Sequence, residues 1–436
     1  MNGWRILLIG IITASLWAPG SAGGRTGYEY IDINQPFLRK MPLAVPLFTT
    51  VSGDAQETLH AQKAMELLTA TLDFTGYFQI MDRGAFLYDP QKDGHTTASI
   101  NFPNWTVIGA ELLILGRYEL RGDDIGVEFR LFDTVQGRRL IGKRYTGKAS
   151  DQRRIILRFC SEVIYALTGN RGIFEHKIAF VSNGSGHKEI FTCEFDGYDP
   201  QQVTRNGTIT LFPSWSSDGN WIAFTSYVKG KPDLYIRSLK DKRETVIARP
   251  GINISPAWVP GKFELAATLS YSGDPEIYLL TGSGKIIKRL THNAGNDVSP
   301  SWAPDGQKMA FVSNRAGSPQ IYIKDLESGT ERRLTFEGNY NTQPSWSPRG
   351  DRIAYASMVD GNHNIFVIGA DGEAPVQLTR DTGDNEAPSW SPDGSLIVFS
   401  SNREGPSRIY VMTAFGTDQR RLMEMKGDQT NPKWSY

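Results

Sequence analysis

Cysteine is nearly absent from this chain, which carries two, Cys160 and Cys193, in 436 residues. That is too few for a disulfide framework. The two fall in segments of different pattern, so each reads as a buried free thiol rather than half of a bridge. Histidine is also scarce. His60, His95, His176, His187, His292 and His363 stand alone, with no pair at metal-ligand spacing and no His-Glu-x-x-His motif. No Gly-x-Ser-x-Gly elbow occurs, which argues against a serine-hydrolase domain. Gly184-Ser185-Gly186 lacks the third glycine of a nucleotide loop. No acid pair is singled out for glycosidase chemistry. Charge of one sign is missing too: 47 basic and 47 acidic residues balance, which gives no reason to expect nucleic acid or an anionic membrane as the main partner.

Long apolar runs are confined to the start. Arg5 precedes an apolar stretch over 6–16, and Gly20-Ser21-Ala22 supplies small residues after Pro19. Positions 1–22 read as a secretory signal cleaved between Ala22 and Gly23. The stretch is short for a membrane span, and no cysteine follows it for lipid attachment. The expected location is the periplasm.

What the chain has instead is a repeat. Trp215, Trp258, Trp302, Trp346, Trp390 and Trp434 are separated by 43, 44, 44, 44 and 44 residues. Each sits in a variant of Pro-Ser-Trp-Ser-Pro-Asp-Gly, worn at Pro256-Ala257-Trp258-Val259-Pro260-Gly261. A period in the low forties marks a propeller. In the repeat over 385–430, a short strand with the Trp leads through a Pro-Asp-Gly turn to an apolar strand over 396–401. A third strand over 408–412 and a fourth over 419–422 follow. Fourth strands elsewhere are expected to end at Val203-Thr204, Leu290-Thr291, Leu334-Thr335 and Leu378-Thr379. The six indoles read as packing between blades.

The count of strands shows an offset. Residues 176–205 supply three strands with no Trp strand before them, and 428–436 supply a Trp strand with nothing after it. Together they make one blade, so the C-terminal strand closes the ring against the first propeller strands. Closure removes exposed sheet edges.

Residues 28–170 differ in pattern. Strands are expected over 28–33, 43–48 and 78–81, and a meander over 111–118, 125–132 and 139–145. Helices are expected over 55–72, capped by Asp54, over 104–108, and over 152–167. The expected organisation is a signal over 1–22, a flexible segment over 23–34, an α/β domain over 28–170 and an all-β six-bladed propeller over 173–436, with four antiparallel strands per blade.

Strand polarity divides the propeller loops between two faces. One face carries the short Pro-Asp-Gly turns. The other carries the loops that lead into each Trp strand and ring the channel. These loops present Asn253, Ile254, Asn296, Asp297, Asn339, Tyr340, Asn341, Asp384, Asn385 and Asp428, a set suited to binding a partner on a rigid scaffold. Asn, Asp and Gly also satisfy turn geometry by themselves.

The leader, the α/β domain and the six blades on Pro-Ser-Trp-Ser-Pro-Asp-Gly together resemble the TolB family, the periplasmic component of the Tol-Pal system of Gram-negative bacteria. The resemblance covers essentially the whole chain after residue 22. It implies a non-enzymatic adaptor with no cofactor, which binds the peptidoglycan-associated lipoprotein Pal at the channel face. It also implies binding of the inner-membrane protein TolA through the N-terminal segment, here 23–34, with Tyr28, Tyr30, Ile31 and Ile33. The family's role is to support outer-membrane invagination during division and envelope integrity. The competing reading is a periplasmic propeller hydrolase or lyase with its site at the channel mouth, where only His292 is placed to act as a base. A channel cation held by Asp297, Asp384 or Asp428 is compatible with the adaptor.

Overall fold

The computed structural model describes residues 39–87, 97–241 and 243–436. The signal segment, the cleavage point at Ala22 and Gly23, and Tyr28, Tyr30, Ile31 and Ile33 lie outside the described residues. The chain forms an α/β domain followed by a six-bladed propeller of four-stranded sheets.

The first domain comprises β1 (Met41–Ala44), β2 (Thr49–Thr50), α1 (Ala55–Phe74), β3 (Phe78–Ile80), α2 (Phe102–Val107), β4 (Leu112–Arg121), β5 (Asp124–Asp133), β6 (Arg138–Lys148) and α3 (Gln152–Thr168). The sheet runs β3-β1-β4-β5-β6, with β2 beside β4. β1 is parallel to both neighbours, whereas β4 to β6 form the antiparallel meander. Side chains alternate along β4: Leu112 and Ile114 join the core under α1 and α3, while Leu113 and Leu115 pack with Trp105 of α2 on the opposite face.

Asp54 caps α1 as its position suggests, accepting the Glu57 N–H at 2.8 Å. Gly169 at φ 78° ends α3. The strand expected over 43–48 stops at Ala44, the end of β1, and residues 45–48 lie in no strand before β2, because Pro46 has no N–H to place in a ladder. Phe48 folds inward at that break, onto Gly116 of β4, where any Cβ would lie 2.4 Å from the Phe48 ring. Cys160 and Cys193 are free and buried, and burial pushes both thiols up in pKa.

Blade 1 is composite. Gln429–Trp434 is its innermost strand and pairs with Lys177–Ser182, which continues to Glu189–Glu194 and Gln201–Gln202. Blades 2 to 6 follow in order over 210–247, 253–289, 297–333, 341–377 and 385–421. Each Trp strand packs against the Trp strands of both neighbouring blades, forming the inner wall of the ring.

Every inner strand carries the same bulge. Its third residue has positive φ in all six blades: Phe212, Ser255, Ser299, Gln343, Ala387 and Asn431 lie at φ 50–55°. The ladder skips one position there, and a proline follows each time. The bulge gives each strand the extra bend that an inner position demands.

The indoles are buried in the seams and alternate in bonding. Trp215, Trp302 and Trp390 donate from Nε1 to the carbonyls of Lys433, Ala257 and Ser345 of the preceding blade, each at 3.0 Å. In the other three blades it is the backbone N–H of Trp258, Trp346 and Trp434 that crosses the seam, to Ser214, Ser301 and Ser389.

The fourth strands are shorter than the Leu-Thr landmarks suggest. They stop before the threonine, which turns inward. Thr204, Thr291, Thr335 and Thr379 each accept the N–H of a third-strand isoleucine with Oγ1. Each also donates to the residue before that isoleucine: Glu189, Glu276, Gln320 and Asn364.

Candidate functional site

The α/β domain packs on the face that carries the Pro-Asp-Gly turns. Arg153 of α3 bridges Glu194 at 2.6 Å and Asp196 at 2.9 Å, in the outer turn of blade 1, and lies over the Tyr198 ring. Arg420 of blade 6 donates to the Phe74 carbonyl and stacks on its ring, and Lys40 pairs with Asp418 at 2.6 Å. Phe195 takes Phe74 and Phe174 edge-on, both at 5.3 Å. One apolar cluster runs from α1 and α3 through these rings to Ile178, Leu396 and Trp434. The opposite face, where the chain enters each Trp strand, carries none of these interdomain contacts.

On that face the residues singled out from sequence divide in two. Asn253, Asp297, Asn341 and Asn385, each the first residue of an inner strand, are fully buried. Three of them, Asn253, Asn341 and Asn385, stitch neighbouring blades, whereas Asp297 is paired within its own. Asn253 donates to Asp233 of blade 2 at 3.1 Å and to the Arg249 carbonyl at 2.9 Å. Asn341 donates to Gln320 of blade 4 at 2.8 Å and to the Glu337 carbonyl at 2.8 Å. Asn385 donates to the His363 carbonyl of blade 5 at 3.4 Å and accepts from Arg403 of its own blade at 2.9 Å, and Asp297 pairs with Arg315 of its own blade at 2.8 Å. Desolvation raises the Asp297 carboxyl above its ordinary range, against the pull of Ser313 and Arg315. The structure thus places these four side chains inside the propeller rather than on the rim.

Asp384 and Asp428 are half-buried and lock loops. Asp384 accepts the His363 N–H at 3.0 Å and the Asn402 amide at 3.1 Å, and its own N–H donates back to Asn402 at 2.7 Å. The His363 N–H, with Asn402 and the His363 ring, holds this carboxyl below its ordinary value. Asp428 and Asn183 make the equivalent reciprocal pair in blade 1. Among the described residues no three of His, Cys, Asp and Glu converge on a metal-binding point.

The remaining residues reach the surface. Asn296 and Asn339 are exposed, Ile254 is half-buried, and Tyr340 is 42% exposed. Tyr340 sits beside a feature peculiar to blade 5. The middle hairpin of that blade is two residues longer on each strand than those of its sisters, Arg352–Val359 and Asn362–Gly369, joined by Asp360-Gly361 at φ 50° and 87°. Positive φ at both central residues gives a tight hairpin turn. The extension carries Met358 and His363, paired across the hairpin, up beside Tyr340. Tyr340 accepts the Met358 N–H with its carbonyl at 3.1 Å, and its ring meets His363 edge-on at 5.8 Å. Phe336, four positions earlier, is 73% exposed with Arg333 over its ring at 5.0 Å.

Phe336 was not singled out from sequence, because an isolated phenylalanine in a strand-rich repeat reads as core. The signal available was positional: it follows the threonine that ends the blade, where no sister blade has Phe, Tyr or Trp. Aromatic side chains on loops held this firmly are the kind of group that anchors a protein interface.

Comparison with known proteins agrees with this architecture. The family model for the TolB beta propeller domain matches residues 164–436, and that for the TolB amino-terminal domain matches 29–140. The Tol-Pal system protein TolB of Desulfosudis oleivorans is 58% identical over 268 residues, 62% of this chain and 61% of that protein. The Protein TolB homolog of Chlorobaculum tepidum is 42% identical over 294 residues, 67% of this chain and 66% of that protein. The match therefore spans somewhat less than two thirds of these relatives' length. The crystal structure of TolB from Acinetobacter baumannii superposes with a TM-score of 0.78 at 25% identity, covering 91% of this chain and 97% of that one. On these matches, with both domains and the composite blade in place, the chain belongs to the TolB family.

Proposed function

We propose that this protein is a non-enzymatic periplasmic adaptor of the Tol-Pal system. Its channel face binds the lipoprotein Pal, and residues 23–34, with Tyr28, Tyr30, Ile31 and Ile33, bind TolA. In that role it supports outer-membrane invagination at division and envelope integrity. Relatives named as Tol-Pal system proteins support membership of the system. The observation that carries the binding face is the exposed cluster of Phe336, Asn339, Tyr340 and Met358 on locked loops, on the side of the propeller away from the α/β domain. Asn296 and Ile254 extend the same rim, whereas the buried Asn253, Asp297, Asn341 and Asn385 and the clamping Asp384 and Asp428 hold its shape.

The test is calorimetric titration of purified Pal into the whole chain and into a Phe336→Ala/Tyr340→Ala variant. Loss of two anchors is expected to weaken binding at least about 30-fold, the scale of a roughly 2 kcal/mol hot spot, with Tm unchanged. An unaltered Kd would remove Pal from this face. Deleting 23–34 is expected to spare Pal binding and abolish TolA binding, and loss of both would end the division of labour.

A further inference from the structure

Immediately before the Trp, the six inner strands place Ser214, Ala257, Ser301, Ser345, Ser389 and Lys433. Five of these are small, so the blade itself has no need of a lysine at this position. Lys433 lines a cavity of about 130 Å3 at the turn-side end of the channel, walled by Trp302, Trp346, Trp390 and Trp434 and by the prolines of the turns. No aspartate or glutamate lines it.

The lining is rich in donors. The Ser301, Ser389 and Ser435 hydroxyl oxygens accept the backbone N–H groups of Trp346, Trp434 and Lys177 at 2.9, 3.1 and 2.9 Å, which leaves their own protons to donate. No aspartate or glutamate side chain in the lining offsets the ammonium of Lys433, and burial lowers its pKa to about 8. An amine charged at neutral pH, half-buried and with no acidic side chain in the lining, favours an anion beside it. The indole and proline walls favour carbon over a fully hydrated inorganic ion.

We propose that this cavity is a binding site for a small organic carboxylate, its anionic head on the Lys433 ammonium and the serine hydroxyls and its carbon atoms against the indole and proline walls. Nothing in this depends on the partner assigned to the opposite face.

The test uses propionate as the probe on the whole chain, with lysines isotopically dimethylated and the Lys433 signal assigned by its loss in Lys433→Ser. That variant carries the residue of four sister blades, and its unchanged Tm would show that it folds. Propionate is expected to raise the Lys433 pKa by about one unit, a tenfold preference for the charged amine, and to raise the Tm of the parent but not of Lys433→Ser. Chloride at equal ionic strength is expected to do neither. The proposal fails if propionate leaves the Lys433 signal unmoved, if the variant responds like the parent, or if chloride reproduces the shift.

Discussion

A chain ended after Asp428 is expected to have no folded propeller. Removal of 429–436 leaves blade 1 without its innermost strand and exposes the whole inner edge of Lys177–Ser182. It deletes Trp434, which is 3% exposed, and its packing against Leu396 and Ile178 in the cluster shared with the first domain. It strips Trp215 of its acceptor, the Lys433 carbonyl, and Lys177 of the Ser435 hydroxyl. Loss of a buried tryptophan alone costs about 3–5 kcal/mol, against a total stability of about 5–15 kcal/mol. The strand pairing and the unpaired edge add to that. Near-ultraviolet circular dichroism should lose its tryptophan signature, and heating should give no cooperative transition. A synthetic peptide of residues 427–436 added in trans should recover part of the signal. A truncated chain that melts within about 5 °C of the parent would show that the ring does not depend on closure.

The second large effect lies in the first domain, at Glu57. This carboxylate is fully buried at the first turn of α1 and accepts the N–H groups of Ser52, Gly53 and Leu120 at 2.8, 2.9 and 3.0 Å, with the Ser52 hydroxyl at 2.8 Å. Burial pushes the carboxyl up in pKa. The N–H donors of Gly53 and Leu120, joined by Ser52, more than offset it and hold the group below its ordinary 4.5. Glu57→Ala leaves three backbone donors without an acceptor, each costing about 1–3 kcal/mol. The expected loss is at least about 3 kcal/mol, on the order of 10 °C in Tm.

The pH dependence follows from the sign. A carboxyl whose folded pKa is depressed contributes stability above its unfolded pKa and loses it as pH falls through the folded value. The gap between parent and variant should therefore be full above about pH 5 and shrink in more acid solution. A gap that is constant with pH would mean that Glu57 acts by shape alone. Glu57→Gln should lie between the two, since its amide nitrogen is a donor turned toward other donors.

The propeller was legible because its rules are local and repeated. Trp, Pro-Asp-Gly and an apolar strand recur often enough to reveal even the offset that makes blade 1 composite. The site was less legible, for a physical reason. Whether Asn341 faces solvent or Gln320 depends on the neighbouring blade, and its own flanking residues read as a polar turn in either case. Asn253 and Asn385 follow the same rule, and Asp297 is buried against Arg315 of its own blade. Tyr340 reached the surface as expected, but its setting comes from the longer hairpin of blade 5, and the alternation over 352–369 does not by itself show where that hairpin ends. In the first domain the apolar run over 43–48 reads as one strand by pattern, although Pro46 within it can place no N–H in a ladder.

The apolar cluster that joins α1 and α3 to blades 1 and 6 makes the two parts of the chain hard to trade. A module that can be shuffled between proteins keeps a wet boundary and its own closed core. Here the rings of Phe74, Phe174 and Phe195 knit the two cores together, and the last strand of the chain belongs to the same cluster as the first helix. A lineage that replaced either half would inherit an uncovered hydrophobic face, so the pair must change together, and substitutions on one side of the boundary constrain those tolerated on the other.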